Sequence, residues 1–192
     1  MKAKTEPEVK EYDYQWIKYR VIGYLIIPAL LLAVIVLAAY TANLSAMEAR
    51  KLYEESEEAL KAIVERSRTL EELVLNLTLQ YAAIALFGYL PLIGFFFITY
   101  ITYQAGVKLA AYAIVQGVDR LAFILYSLSD VSSLLELTAF SLVATESLFV
   151  GRAVLKGRSV RRLELPFSLM VLVLSLSLLA LASCIEASQL MP

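Results

Sequence analysis

Long stretches without a charged residue dominate the chain. Three such stretches, free of Asp, Glu, Lys and Arg, are Val21–Met47 with 27 residues, Leu73–Val107 with 35, and Leu165–Ile185 with 21. A helix that crosses a bilayer needs about 20 predominantly apolar residues. The pattern therefore predicts membrane-spanning helices.

The longest stretch must hold two helices. As a single helix, its 35 residues would measure about 52 Å, whereas the hydrocarbon layer is about 30 Å thick. The residues Gly88-Tyr-Leu-Pro91 favour a break in its middle. The sequence thus predicts an all-α, polytopic membrane helix bundle of about five transmembrane helices, at about 19–40, 73–89, 92–115, 132–151 and 165–184.

Two other segments do not fit a spanning helix. An extracytoplasmic amphipathic helix is predicted at about 45–67, beginning at the capping-box pattern Ser45-x-x-Glu48. It either docks onto a partner or the membrane surface, or packs on its own bundle. Residues 121–131 are apolar but too short to cross the membrane, so they either re-enter it or lie on its surface.

The placement of basic residues predicts the orientation. The segment Arg152–Glu164 carries five basic residues and one acid, and such loops stay in the cytoplasm. Threading the spans from there puts the N-terminus inside and the C-terminus outside, in a multi-pass protein of the cell membrane. The predicted parts are a cytoplasmic N-terminal segment, a single transmembrane bundle domain and a C-terminal tail, at residues 1–18, 19–187 and 188–192.

Composition excludes several classes of function. The chain is 60% hydrophobic and 18% charged, contains no histidine, and has one cysteine, Cys184. His/Cys metal sites, Ser-His-Asp or Cys-His nucleophiles and internal disulfides are therefore excluded, and we expect no enzyme activity, metal or cofactor. With a net charge of −1 and no basic cluster among aromatic residues, nucleic-acid binding has no support.

Ionisable side chains at membrane depth are the candidate functional residues, because they usually face the bundle interior or a wet cavity. Lys108, Glu136 and Glu186 fall within roughly 10 Å of the outer boundary; with Gln104 they form the predicted intramembrane polar cluster. The cluster is either an outward-facing pocket for an ion or proton, or a Lys108–Glu136 ion pair that fixes helix packing. Glu146, roughly 15 Å deeper than Glu136, is a second intramembrane acid.

Small residues predict a close helix contact on the third span. Gly106, Ala110, Ala113 and Gly117 are spaced four, three and four residues apart, and such stripes let helix backbones approach closely. The seam lies either within the chain or between two copies in a homo-oligomer.

Three blocks of the sequence carry a family resemblance. Residues 91–113 contain Tyr103, Gln104 and Gly106 in a Tyr-Asn-x-Gly-like stretch after the hairpin; residues 136–152 contain Glu136, Leu137, Ala139 and Gly151; residues 178–187 end in Ile-Glu-Ala with Glu186. Together with the order of spans, these blocks resemble the stage II sporulation protein M family over about residues 73–187. The chain departs from it at Val131-Ser132-Ser133, where the family has Pro-His-Gly, and at Thr138, where it has proline.

The resemblance implies a non-enzymatic scaffold or membrane-remodelling subunit of an envelope complex. Its partners would be the lipid bilayer and other membrane or envelope proteins, with homo-oligomers an open alternative. The rival hypothesis is a small permease-like subunit that uses Lys108, Glu136 and Glu186 for an ion or solute. Ion or solute flux would distinguish the two.

Overall fold

A computed structural model describes the backbone of residues 6–156 and 158–191, and the side chains of residues 18–155 and 164–191. In this part of the chain the structure is helical and contains no strand. Seven helices follow one another: α1 Glu6–Thr41, α2 Ala46–Arg66, α3 Leu70–Gly88, α4 Ile93–Gln116, α5 Arg120–Ser129, α6 Val131–Lys156 and α7 Arg158–Leu190.

Several helices are long and apolar enough to span a membrane. Four helical segments meet this length and hydropathy requirement on their own: Lys18–Thr41 of α1, all of α3, Val131–Leu155 of α6 and Glu164–Leu190 of α7. Helices α4 and α5 meet the same requirement as a pair, but the pair is bent by 120° at the break between the two helices. The all-α prediction is thus confirmed, and the helices fit a multi-pass membrane protein.

Two predicted boundaries differ from the structure. The segment Arg152–Glu164 is almost entirely helical, because α6 continues to Lys156 and α7 begins at Arg158. Helix α7 then runs to Leu190, so the predicted C-terminal tail is mostly the last turn of a helix. The side chains at 156–163, which carry most of the basic charge of the predicted cytoplasmic loop, lie outside the described residues, as do those at 1–17.

Helix α2 begins as the sequence predicts and packs on the bundle. The Ser45 hydroxyl accepts the Glu48 N–H, while the Glu48 carboxylate accepts the Ser45 N–H at 2.8 Å, which confirms the capping box. The helix lies against α4. There Tyr53 meets the edge of Tyr112 at 4.8 Å between ring centroids, and the Tyr112 hydroxyl donates to Glu57 at 3.2 Å.

The turn between α3 and α4 requires glycine at its base. A Cβ built on Gly94 would lie 1.8 Å from the carbonyl oxygen of Gly88, a separation that no side chain tolerates. Between them Leu92 has a φ of 64°, a left-handed conformation that is costly for a leucine.

Contacts with α6 hold that turn in place. The Ser147 hydroxyl donates to the Leu90 carbonyl at 2.6 Å and accepts the Phe95 N–H at 3.1 Å. The Leu92 N–H donates to the Ser147 carbonyl at 3.1 Å, and the Leu92 side chain covers Gly151, where a Cβ would meet it at 2.5 Å. The predicted hairpin is therefore anchored to the C-terminal half of α6.

The small-residue stripe of α4 faces α1 within the chain. A Cβ on Gly106 would lie 2.5 Å from the Ile35 carbonyl oxygen and 2.8 Å from the Ala38 Cβ, and Ala110 and Ala113 are fully buried. Gly117 takes no part in this contact, because nothing lies within 4 Å of where its Cβ would be. It ends α4 instead, in a left-handed conformation with a φ of 66°, the usual helix-terminating role of glycine.

Candidate functional site

Three of the predicted polar residues line a cavity of about 570 Å³ in one half of the bundle. Helices α3, α4, α5, α6 and α7 supply its walls, and Ile35 of α1 reaches it as well. Lys108, Glu136 and Glu186 all line it. Its volume falls within the roughly 300–1,000 Å³ range of small-molecule sites.

Two carboxylates occupy one wall, together with a tyrosine. The Tyr81 hydroxyl donates to Glu186 at 2.7 Å. Glu136 is close enough to interact electrostatically with both of them. Because Tyr81, Glu136 and Glu186 come from three helices, this group of three side chains forms only when α3, α6 and α7 are packed together.

Lys108 lines the same cavity but forms no ion pair with Glu136. Among the side chains of residues 18–155 and 164–191, the ion pairs within 4.0 Å involve only Arg20, Arg50 and Lys51 as cations. The predicted Lys108–Glu136 ion pair is therefore absent, and both residues line the cavity without contacting each other as an ion pair. Gln104, the fourth member of the predicted cluster, is half-buried on α4 and does not line the cavity.

The short helix α5 covers the cavity. Asp119 caps it by accepting the Ala122 N–H at 2.8 Å, and Arg120 donates to the Ala42 carbonyl at 3.0 Å. Its Ile124 is fully buried, while Phe123 and other α5 residues face the cavity. The segment whose position the sequence left open therefore folds back against the bundle at 120° to α4.

Glu146 belongs to a second, fully buried ionic cluster. Arg20 Nη2 donates to Glu146 Oε2 at 2.8 Å, to Glu164 Oε2 at 2.9 Å and to the Ser168 hydroxyl at 3.1 Å. The Tyr24 and Ser168 hydroxyls also donate to Glu146. Arg20, Glu146 and Glu164 are each at most 2% exposed, so this cluster joins α1, α6 and α7 away from solvent.

Aromatic rings surround the guanidinium of that cluster. Arg20 Cζ lies 4.3 Å from the ring centroid of Phe167 and 5.0 Å from that of Phe149. Ring faces attract a cation, so the rings reinforce the placement of the arginine. The sequence analysis does not identify Arg20 or Glu164 as site residues, since each only borders an uncharged stretch, Val21–Met47 and Leu165–Ile185 respectively.

No metal site is evident in the described part of the chain. No group of three His, Cys, Asp or Glu side chains there is placed to hold a metal ion. The polar groups of the cavity are instead two carboxylates, one ammonium and several hydroxyls among mostly apolar walls. Such a set can bind a proton, a small cation or a ligand with charges of both signs.

Comparisons of the chain with models of known protein families, with curated proteins and with solved structures found no match.

Proposed function

We propose that the protein is a multi-pass membrane protein that binds a small ligand in the cavity lined by α3, α4, α5, α6 and α7. In this proposal it acts as a permease-like subunit for an ion or solute. The observation that carries this proposal is the cavity of about 570 Å³ that Lys108, Glu136 and Glu186 line together. A lysine that only fixed packing would pair with a carboxylate, because an unpaired charge at membrane depth is costly. Lys108 is instead exposed and lines the cavity without an ion pair.

Transport by purified protein in liposomes tests the proposal. The probes are protons, potassium ions and labelled glycine, each followed across the vesicle membrane. We expect uptake of at least one probe, and a loss of that uptake in Glu136→Gln. The matched control is Glu58→Gln, because Glu58 is an exposed acid on α2. Absence of uptake for all three probes, or equal uptake by both variants, would contradict a permease.

A second candidate is the scaffold or membrane-remodelling subunit of an envelope complex. It is supported by the resemblance of residues 91–113, 136–152 and 178–187 to the stage II sporulation protein M family. Each of these blocks supplies a charged residue to the cavity: Lys108, Glu136 and Glu186. Lack of flux, together with one protein that co-purifies in stoichiometric amount from native membranes, would favour this candidate. Neither candidate involves catalysis.

The proposed orientation has the N-terminus and the α6–α7 connection in the cytoplasm of a cell-membrane protein, with α2 and the C-terminus outside. It is supported by the five basic residues between Arg152 and Glu164. Single cysteines placed at Lys61 and at Lys156, in a Cys184→Ser background, test it with an impermeant thiol reagent. We expect labelling from outside only at Lys61, and the reverse pattern would contradict the orientation.

A further inference from the structure

The cavity is polar at one end and apolar at the other. At its polar end, Lys108 lies eight residues before the end of α4, Glu136 five residues after the start of α6, and Glu186 four residues before the end of α7. At 1.5 Å per residue, these three residues are roughly 6–12 Å from those helix ends. The three helix ends lie on the same side of the bundle, because α5 joins α4 to α6 and Gln189 of α7 bonds Asp130 just before α6 at 3.3 Å.

The deeper end of the cavity has mostly apolar walls, with Thr102 as a polar residue among them. Ile84 lies fourteen residues after the start of α3, Ile101 fifteen before the end of α4, and Phe140 nine after the start of α6. These positions are roughly 14–22 Å from the same side of the bundle. The cavity thus changes from charged to apolar in the direction that leads from a membrane surface towards its centre.

The charged end complements a zwitterion. A primary ammonium has three N–H donors and no acceptor, and two neighbouring carboxylates beside a tyrosine hydroxyl, at Glu136, Glu186 and Tyr81, give it acceptors. Like charges held together in an apolar setting repel each other, and a cation between them removes that repulsion. Lys108, which is exposed and lines the same cavity without an ion pair to either acid, can bind the anionic half of the same ligand, and lysine is a common phosphate binder.

We propose that the cavity binds a phosphoethanolamine-type phospholipid, with its ammonium at Glu136 and Glu186, its phosphate at Lys108 and its acyl chains along Ile84, Ile101 and Phe140. A phospholipid in the adjacent leaflet has its headgroup and chains in this order along the membrane normal. This inference rests on the proposed use of the cavity as a ligand site, and it names the class of ligand.

Calorimetric titration of the purified full-length protein in detergent tests the proposal. The ligand is a short-chain phosphatidylethanolamine. Short-chain phosphatidylglycerol is the comparator without an amine, and free phosphoethanolamine is the comparator without acyl chains. We expect the phosphatidylethanolamine to bind about tenfold or more tightly than phosphatidylglycerol, because a lost hydrogen bond to a charged group costs about 1.5–3 kcal/mol. We expect free phosphoethanolamine to bind more weakly than the lipid, since it lacks the apolar contacts.

Variants locate the ligand. Lys108→Gln and Glu136→Gln should each weaken phosphatidylethanolamine binding by about tenfold or more. Their controls, Lys61→Gln and Glu58→Gln, change exposed residues of α2 and should leave the affinity unchanged. Lys108 has no ion pair to lose, so its substitution leaves the packing intact. If a variant nevertheless fails to fold, the comparison of the two lipids on the unaltered protein still tests the proposal.

Three results would overturn the inference: equal affinity for the two lipids, equal affinity of the variants and their controls, or phosphoethanolamine binding as tightly as the lipid. The last result would mean a soluble zwitterion as the ligand. Phosphatidylethanolamine binding without flux of any liposome probe would contradict the permease and leave the lipid site standing. Flux that depends on Glu136, without lipid binding, would contradict the lipid site and leave the permease standing.

Discussion

Replacing Arg20 by methionine should destabilise the protein strongly. The arginine bonds two carboxylates, at 2.8 Å on Glu146 and 2.9 Å on Glu164, and all three side chains are at most 2% exposed. Removing one partner of a buried ion pair leaves an uncompensated charge and costs about 3–5 kcal/mol. For a chain of this size, each kcal/mol lowers the melting temperature by about 2–4 °C, so the expected loss is about 6–20 °C.

The assay is thermal unfolding of the full-length protein in detergent, followed by circular dichroism. Lys18→Met is the control, because Lys18 lies two residues earlier in α1 and is exposed; we expect no more than a small change. Glu146→Leu should cost less than Arg20→Met, because the arginine keeps Glu164. In the double variant, the losses should not add, since the second change removes a charge that the first has left without its cation. Equal melting temperatures for Arg20→Met and Lys18→Met, or additive losses, would refute the reasoning.

Three further predictions concern local structure. Gly94→Ala should prevent the α3–α4 turn from closing, because its Cβ would lie 1.8 Å from the Gly88 carbonyl oxygen; a melting temperature equal to that of the unaltered protein would contradict this. Ser147→Ala should cost about 1–3 kcal/mol by leaving the Phe95 N–H without its hydrogen-bond acceptor, measured as a lower melting temperature in the same assay. The Ser45 hydroxyl and, to a smaller extent, the Ser45 N–H donate hydrogen bonds that hold the pKa of Glu48 below its ordinary value. This cap therefore stabilises α2 at neutral pH, and the stabilisation is lost as the pH falls through that lowered pKa. The protection of the Ser45 amide from hydrogen exchange, relative to its intrinsic rate at each pH, should fall in that pH range, and in Glu48→Ala it should be low at every pH.

Local features were predictable from the sequence because they depend on residues a few positions apart. The capping box at Ser45 and Glu48 and the break after Gly88 are both present in the structure. The long apolar helices are also local in this sense, since length and hydropathy alone identify them. Loop boundaries were less predictable: the charged segment between α6 and α7 is mostly helix, because charge sets the side of the membrane and not the secondary structure.

Contacts between distant helices were not predictable in the same way. Depth along the helices places Lys108 and Glu136 at a similar level, but it says nothing about rotation around each helix axis, and in the structure both line a cavity without forming an ion pair. Arg20 bonds residues 126 and 144 positions away. One signal was present in the sequence: Arg20, Glu146 and Glu164 all fall near the cytoplasmic ends of predicted spans, so a search for opposite charges at equal depth would have brought them together.

The two polar clusters lie towards opposite ends of the same helix pair, and this arrangement constrains any transport mechanism. Helices α6 and α7 supply Glu136 and Glu186 to the cavity, and other acids of the same two helices to the cluster around Arg20. Fully buried apolar side chains, among them Val143 and Leu179, lie between the two clusters. An ion cannot cross such a layer without losing its hydration, so the cavity is closed towards the Arg20 side in this conformation. Passage of an ion past the Arg20 cluster would require its residues on α1, α6 and α7 to separate, which breaks the bonds of Arg20. A permease of this design would therefore respond to Arg20→Met with altered flux at temperatures where the variant is still folded, whereas a lipid-binding site that never opens inwards would keep its affinity.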